Sequence, residues 1–565
     1  MAIEKNGPIF RVLGLFVSSA LLLLCKGTTS ERPKPQESME NAALSSGNKN
    51  TKLQISVVGT SDLHGSLALL PTFAGYLNNL RQEKDAVILV DAGDMFQGTL
   101  ESNSVEGKSV VKAYNALGYD AAAIGNHEFD FGPAGPTFIA EPGEDPRGAL
   151  KERAKEANFP FLASNLKTKN GLFSFENVAP SFMKEIKGIK VGFVGATTMS
   201  TLTTTLAANV NDLQLIKIED AINSEAKKLR SNGAQLVVVT MHAGGECRSF
   251  EDSKNLESCR LGELGDVLSK IQKGLVDVVV AGHTHRAIAH EVSGIPVIQS
   301  YSSGKAFGRV DIELGKDSSL TKSVHPPQNI CPDVSACEEY EGKKIVRDKG
   351  LERLVREANA QTESISKQDL GVVLEEKFRR NFKEESVLGN LFADLILLAR
   401  PKADVAITNG GGLRADLPKG PLTYGDWFRA HPFDNQFAFV DLEVSLLKKI
   451  IRRNLQTSFG ILLISGAEIR SKCDGKKLNV ELFKQGKKLF DKQKLTVATS
   501  DFLASGTFTR AKIPKESITY ERGEFMRDAM AAALSKKGKR QKGADYYDTS
   551  KPRHRFPGKR PVRCE

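Results

Sequence analysis

Five short runs of β-branched and other apolar residues, each followed at once by a segment containing Asp, Asn or His, most constrain the fold of this 565-residue chain. Amphipathic stretches with a helical period, such as LPTFAGYLNNLRQEK, lie between them. Buried strands that alternate with helices are typical of β-α units around largely parallel sheets. Such sheets collect the residues that follow their strands at one edge, where α/β proteins build their sites. The junctions read LQISVVG-TSDLHG, AVILVDAG-DMFQG, DAAAIG-NHEFD, QLVVVT-MHAGGE and VDVVVAG-HTHR.

The polar residues at these junctions form a set of candidate metal ligands. Mixed imidazole and carboxylate donors suit divalent Zn, Mn, Fe, Co or Ni, and the absence of cysteine argues against a structural zinc. A strand-like spacing predicts that Asp62 and His64 point to the same side, and His283 and His285 repeat it. Seven ligands are too many for one ion, so we expect a binuclear centre bridged by Asp94. The predicted ligands are Asp62, His64, Asp94, Asn126, His242, His283 and His285.

The junctions also carry a resemblance. DLHG, GDMFQG, GNHEFD, TMHAGGE and GHTH resemble, in this order, the five signature blocks of the calcineurin-like metallophosphoesterases, and GNHEFDFG is similar to the form in their 5'-nucleotidase family. The resemblance covers residues 53 to about 310 and implies an α/β fold with an N-terminal four-layer α/β/β/α domain. It implies two divalent ions, one held by Asp62, His64, Asp94 and His285, the other by Asp94, Asn126, His242 and His283.

A catalytic pair is expected next to these ligands. The resemblance implies that a metal-bridging hydroxide attacks phosphorus while a nearby imidazole assists the leaving oxygen. We assign that imidazole to His127. Asp130, three residues further on, is placed to hold the ring in one tautomer and to support its protonated form.

A second region, from about 366 to 535, has its own apolar segments and resembles the 5'-nucleotidase C-terminal domain. The resemblance rests on NGGGLR, on a GN pair at 389–390 and on HPFDNQF. It implies an α+β substrate domain in which Asn409 contacts ribose or base, Arg414 contacts phosphate or ribose, and Phe433 packs on a base. A glycine run, an Arg and an aromatic face suit these tasks, although a permissive turn and a core Phe are the alternative.

One loop departs from that family. Where nucleotidases have GGDGF or GGDGY, this chain has ASGTFTRAKIP, which lacks the aspartate expected to hold the ribose. Phe508 is the only aromatic residue of the loop, so we predict that it faces Phe433 across the base. The altered loop argues against the family's usual contact with the ribose but leaves the predicted hydrolysis of a phosphate ester unaffected.

The N-terminal residues differ in composition from the rest of the chain. Lys5 and Arg11 precede VLGLFVSSALLLLC, a run about as long as the h-region of a signal peptide, so we expect an export signal at 1–27 and a polar linker at 28–51. An uncleaved anchor is the alternative. We expect a secreted protein, or one in a periplasm-like or secretory-pathway compartment, with no transmembrane segment. The predicted disulfides are Cys247–Cys259, Cys331–Cys337 and Cys473–Cys564, with free thiols as the alternative.

The remaining boundaries follow from composition. We expect a metallophosphoesterase domain at 52–325, a linker at 326–365 with a bridging helix near 338–360, and a substrate domain at 366–535. Residues 536–565 hold eleven Lys or Arg against three Asp or Glu, so we predict a basic disordered tail. A solvated tail is favoured over one that binds polyanions or anionic surfaces. Nothing elsewhere in the chain favours sequence-specific nucleic-acid binding.

The predicted function is a secreted phosphohydrolase that releases phosphate from nucleotides, most simply nucleoside 5'-monophosphates. Apyrase, nucleotide-sugar hydrolase and 2',3'-cyclic nucleotide hydrolase are alternatives, because they share the metal site and differ in the pocket. A secreted nucleotide- or polyanion-binding protein is the alternative from another class. The complete ligand set, together with His127 and Asp130, argues against it.

Overall fold

The computed structural model describes residues 52–135, 139–140, 143–315 and 319–565. The predicted export signal (1–27) and polar linker (28–51) lie outside the described residues. Residues Lys52–Glu565 cluster as one unit. None of the helices in the described ranges is both long and apolar enough to cross a membrane.

All five β-branched runs of the sequence form strands of the N-terminal domain. Its strands are β1 (Leu53–Thr60), β2 (Ala86–Asp91), β3 (Ala121–Ala123), β4 (Phe161–Leu162), β5 (Leu166–Thr168), β6 (Gly171–Leu172), β7 (Val178–Ala179), β8 (Ser181–Ile186), β9 (Ile189–Thr197), β10 (Gln214–Leu215), β11 (Leu236–His242), β12 (Val278–Ala281), β13 (Ala287–Val292), β14 (Ile295–Ser300), β15 (Ala306–Leu314) and β16 (Leu320–Asn329). Its helices are α1 (Leu70–Glu83), α2 (Leu100–Asn103), α3 (Lys108–Leu117), α4 (Gly148–Glu156), α5 (Thr201–Thr204), α6 (Ala207–Val210), α7 (Ile218–Ser231) and α8 (Gly262–Leu268).

Two sheets form the centre of this domain. The first has the order β16-β15-β1-β2-β3-β4-β7 and the second β13-β14-β12-β11-β9-β8. Strands β1 to β4 and β7 run parallel, as do β9, β11, β12 and β14. The five junctions therefore lie at the carboxyl ends of parallel strands, three in the first sheet and two in the second.

The layers are helix, sheet, sheet, helix. Val57 and Val90 of the first sheet pack against Phe193 and Val238 of the second, in a buried core between the sheets. Helices α1, α3 and α4 supply apolar residues to a separate core on one outer side, and α7 and α8 to a core on the other. This arrangement confirms the predicted four-layer α/β/β/α domain.

The predicted bridging helix is α9 (Lys349–Ser366), which begins eleven residues later than the charge pattern indicates. Asp348 caps it by accepting the backbone N–H of Leu351 at 2.8 Å. The helix packs against α1, α2 and α3 of the N-terminal domain and against the helix of the second region that carries Trp427.

The second region is an α+β domain, as predicted. Its strands are β17 (Asp369–Leu374), β18 (Val405–Asn409), β19 (Gly420–Thr423), β20 (Gln436–Glu443), β21 (Leu462–Ser465), β22 (Glu468–Asp474), β23 (Lys477–Lys484), β24 (Lys487–Lys488), β25 (Lys494–Ser500), β26 (Ile518–Phe525), β27 (Arg540–Gln541) and β28 (His554–Arg555). Its helices are α10 (Val387–Ala399), α11 (Tyr424–Ala430), α12 (Val444–Leu455), α13 (Asp501–Leu503) and α14 (Met526–Lys537). The sheet orders are β19-β17-β27, β21-β18-β25-β20-β26 and β24-β23-β22-β28.

The prediction of a disordered tail at 536–565 is wrong. Strand β27 pairs with β17, and β28 pairs with β22. Tyr546 and Val562 are buried, and Arg553 forms a two-point ion pair with Asp394 at 2.5 and 2.9 Å. The segment has few apolar residues, but the rest of the domain supplies partners for them, which local composition does not reveal. Binding of a polyanion by this segment stays the less favoured alternative.

All three predicted disulfides are present. The bond between Cys473 and Cys564 ties the last residues of the chain to β22. Cross-links of this kind are typical of exported proteins.

The packing of the C-terminal segment predicts that truncation of its largest buried side chain lowers the stability of the protein. Tyr546 is 3% exposed, and its ring lies edge-on to Phe378 with the centroids 5.7 Å apart. We expect Tyr546→Ala to lower the free energy of unfolding by about 3 kcal/mol, as for other buried aromatic residues. Tyr547→Ala, at the less buried neighbouring position, is the matched control and should cost clearly less. Urea unfolding measures both; equal effects would mean that the segment does not pack in solution.

Candidate metal centre and substrate cleft

The backbone at the strand ends is unusual at five candidate ligands. Left-handed φ angles between 51° and 79° occur at Asp62, His64, Asp94, His283 and His285. This conformation is rare for residues other than glycine, costs about 1–3 kcal/mol each, and clusters at functional sites. The prediction of a strand-like geometry for the pairs 62/64 and 283/285 is therefore wrong, because these residues lie in tight turns beyond the strands.

The first ligand group combines both sheets. Its candidate donor atoms lie within 4.8 Å of one another. The Nε2 atoms of His64 and His285 are 2.9 Å apart, and His285 Nε2 is 3.4 Å from Asp62 Oδ1. Ligand atoms about 2.1 Å from a common ion are separated by about 3 Å when they subtend a right angle, so this spacing fits a shared cation. The members of the group are Asp62, His64, Asp94 and His285.

The second group shares Asp94 with the first. His242 Nε2 lies 2.9 Å from Asp94 Oδ2 and 3.2 Å from His283 Nδ1. The side-chain oxygen of Asn126 is 3.2 Å from the same His242 nitrogen. The structure therefore brings all seven predicted ligands together and sends His283 and His285 to different groups.

Backbone carbonyls orient two of the imidazoles. His64 directs Nδ1 to the carbonyl of Gln97 at 2.8 Å, and His242 directs Nδ1 to the carbonyl of Ala92 at 2.7 Å. These contacts require a proton on Nδ1, so each ring turns its Nε2 toward the cluster. This arrangement is typical of histidines that bind metals.

The charge state of the buried side chains also suits a cation. Burial lowers the pKa of His283 to about 3 and, together with Arg414, lowers that of His64 well below its ordinary value. Both rings are therefore neutral ligands at neutral pH. Burial raises the pKa of Asp62 to about 7, because nothing in the protein fully compensates its charge. A buried carboxylate in this situation favours a bound cation.

Glu128 is a buried component of the site that its sequence context does not reveal. Its side chain is 1% exposed and accepts the backbone N–H groups of Asp94, Met95 and Gly125 at 2.6–2.8 Å. Its carboxylate thereby connects the GDMFQG and GNHEFD junctions. Burial raises the pKa of Glu128 to about 8. Nothing in a single sequence separates such a residue from an exposed turn acid.

His127 and Asp130 form a close pair at the edge of the cluster. His127 Nδ1 is 2.6 Å from Asp130 Oδ2, and its Nε2 is 3.9 Å from Asp94 Oδ2. Burial lowers the pKa of His127, but the charges of Asp130 and Asp94 outweigh burial and raise it overall. The ring can therefore hold a proton on Nε2 and transfer it.

The C-terminal domain covers this site. Arg414 Nη2 is 3.1 Å from His64 Nε2, and its guanidinium lies 5.8 Å from the centre of the Phe433 ring. The Phe433 ring centre lies in turn 5.8 Å from that of His127. Asn409, Arg414 and Phe433 all line a cleft of about 1950 Å³ that is also lined by members of both ligand groups. Ligand pockets more often measure about 300–1,000 Å³, so this cleft has room for a large substrate.

The predicted role of Phe508 is wrong. Its side chain is completely buried in the core that α12 forms with the surrounding strands, and it does not line the cleft. The chain from Ala504 to Phe508 forms a π-helical turn. The next residue to reach the cleft is Arg510, to which the sequence pattern assigns no role. This loop thus presents a cation to the cleft, and its aromatic residue lies in the core.

Comparisons with known proteins agree with this architecture. Residues 55–287 match the family model for calcineurin-like phosphoesterase, and residues 365–510 match that for the 5'-nucleotidase C-terminal domain. Endonuclease YhcR of Bacillus subtilis (strain 168) is 27% identical over 507 residues, which is 87% of this chain and 39% of that protein. Snake venom 5'-nucleotidase of Gloydius brevicauda is 27% identical over 451 residues, which is 72% of this chain and 68% of that protein.

A solved structure has the same fold. The crystal structure of a 5'-nucleotidase precursor from Thermus thermophilus superposes with a TM-score of 0.70 and 21% identity. The superposition covers 86% of this chain and 97% of that one. With both family models matched in order along the sequence, the chain belongs to the 5'-nucleotidase family of the calcineurin-like metallophosphoesterases.

Proposed function

We propose that this protein is an exported phosphohydrolase that holds two divalent metal ions and releases phosphate from nucleotides, including nucleoside 5'-monophosphates. The observation that carries the proposal is the pair of ligand groups that share Asp94. Two ions so close together suit the displacement of an ester oxygen from phosphorus. The names of the relatives support nucleotides or nucleic acid as substrates.

The ions fit the donor set of this chain. His64, His283 and His285 are neutral donors, and the Asp62 and Asp94 carboxylates supply negative charge. Divalent ions bound there would polarise the phosphoryl oxygens and make a water molecule more nucleophilic. Imidazole and carboxylate ligands suit divalent ions such as Zn, Mn or Co.

The chain's own residues supply the other functions. His127 lies beside the ligand groups and donates a proton to the leaving oxygen of the ester. Asp130 holds the ring with Nε2 toward the cleft and stabilises its protonated form. Arg414 presents a guanidinium over the same region and binds the oxygens of the phosphate.

Export is supported by the cysteines. All six cysteines of the described residues are paired in disulfides, which persist in oxidising compartments. The signal-like run at 1–27 agrees with this proposal.

The division of labour between neighbours predicts different losses. We expect His127→Ala to lower kcat by roughly 10²–10⁴-fold, the usual contribution of a general acid, with metal content unchanged. The adjacent substitution Asn126→Ala should instead lower metal content. Steady-state release of phosphate from AMP and metal analysis of both variants distinguish these effects. Loss of metal from His127→Ala with undiminished turnover would contradict the assignment.

The shared carboxylate predicts a graded loss of metal. We expect about two ions per chain in the parent protein, about one in Asp62→Ala and fewer in Asp94→Ala, because Asp94 belongs to both groups. Asp85→Ala, at an exposed carboxylate outside the site, is the control and should bind as the parent does. Elemental analysis after dialysis measures the content. Equal loss in the variants at 62 and 94 would show that the groups do not share a ligand.

The buried position of Glu128 predicts an indirect effect on metal affinity. Glu128→Gln replaces an acceptor oxygen by an amide that cannot accept from all three backbone N–H groups. We expect the metal concentration for half-maximal activity to rise about 10–100-fold, as for other residues that orient ligands. Glu106→Gln, which alters a contact to Gly135 away from the site, is the control. An unchanged metal titration with Glu128→Gln would remove this role.

A further inference from the structure

One wall of the cleft carries cations that the proposed reaction does not use. Lys449 and Arg453 lie four residues apart on α12, so they project from the same helix face, and both line the cleft. Arg510 follows the π-helical turn and lines the same cleft. We call these three residues the cationic wall.

None of the three side chains pairs with a carboxylate within the described part of the chain. Their neighbours on α12 do have partners: Lys448 contacts Asp491 at 2.7 Å, and Arg452 donates to the carbonyl of Leu478 at 2.6 Å. Burial and the charge of Arg453 together lower the pKa of Arg510. Like charges placed this close repel one another, and a bound anion would remove that repulsion.

The cleft as a whole also has an excess of positively charged residues. Eleven Lys or Arg residues line it, against six Asp or Glu. Two of those acids, Asp94 and Asp130, belong to the metal and catalytic groups, so the remainder of the cleft is strongly positive. Such a surface attracts a substrate with more negative charge than one phosphate monoester carries.

A short path of contacts joins the cationic wall to the metal ligands. Arg510 Nη2 lies 3.5 Å from the carbonyl of Thr203. Thr203 donates its backbone N–H to the carbonyl of Ser200 at 2.7 Å, and Ser200 Oγ is 3.3 Å from His283 Nε2. Arg510 is thus connected to the ligand groups through Thr203 and Ser200, and the wall lines the same cleft as His283, so one bound molecule can contact both.

We propose that the cationic wall binds a second phosphate of the substrate. The inference rests on the proposed function and defines its substrate class: nucleotides with a terminal phosphate monoester and a further phosphate, as in nucleoside 3',5'-bisphosphates and short 5'-phosphorylated oligonucleotides. Water adds to the terminal phosphorus and the P–O bond to the ribose breaks. The leaving oxygen takes a proton, and inorganic phosphate departs. The second phosphate stays covalently attached to the nucleoside and is not released.

The test compares substrates that differ only in the second phosphate. The metal-loaded protein is assayed with AMP, adenosine 3',5'-bisphosphate and a 5'-phosphorylated adenosine dinucleotide. We expect kcat/KM to be about tenfold or more higher for adenosine 3',5'-bisphosphate than for AMP, since contacts to charged groups have this strength. A preference for both substrates indicates a nucleic-acid strand, and a preference for the bisphosphate alone indicates a mononucleotide.

The variants assign the preference to the wall. In K449Q/R453Q/R510Q the ratio of kcat/KM for the bisphosphate to that for AMP should fall towards one. The control K476Q/K487Q alters exposed lysines outside the cleft and should keep the parent ratio. A parent ratio near one, or an undiminished ratio in the triple variant, would overturn the inference and leave the proposed function intact.

Failure of the proposed function would give a different result from failure of the inference. If the metal-loaded parent hydrolyses none of the three substrates, the enzymatic proposal fails. Calorimetric binding of the bisphosphate and of AMP to the parent and the triple variant then decides the inference. Tighter binding of the bisphosphate that the triple variant loses would support it, and equal binding of both nucleotides would overturn it.

Discussion

The buried carboxylate of Asp94 is the group on which the rest of the site depends. Its Oδ2 lies 2.9 Å from His242 Nε2, and its Oδ1 accepts the backbone N–H of His127 at 2.8 Å. Its own N–H is held by Glu128, and its φ is 59°. A side chain at Gly125 would collide with this carboxylate and its backbone nitrogen, so glycine is required there. Three strand ends from two sheets are thereby connected to one side chain.

Much of this arrangement could be predicted from the sequence because buried parallel strands have a distinctive pattern. A continuous β-branched run between helices indicates a buried strand of a parallel sheet. Strands β1, β2 and β11 begin within one residue of the runs that indicated them. The polar residues beyond such strands must gather at one edge. Which residue joins which ion came from the family resemblance, since spacing alone sends His283 and His285 to one side.

The remainder depends on contacts that no local pattern encodes. The left-handed backbone of the ligands follows from the turns in which they lie, and the burial of Glu128 follows from three N–H groups on two junctions. The basic C-terminal segment is ordered by partners far away in the sequence, such as Asp394 for Arg553. Phe508 is taken into the core because the π-helical turn rotates it inward and directs Arg510 to the cleft.

The two domains contribute opposite charges to the site, and each needs the other. Pro432 accepts hydrogen bonds from Gln97 and Asn103, so the HPFDNQF loop is fixed to the GDMFQG junction. Arg414 enters from the same side and, after burial itself, is the main cause that lowers the pKa of His64. A neutral imidazole is the form that binds a metal, so the C-terminal domain favours the metal-binding state of His64. If the ligand groups hold cations, a phosphate bound between them and Arg414 would meet positive charge from both domains, whereas either domain alone would leave one side of the anion uncompensated.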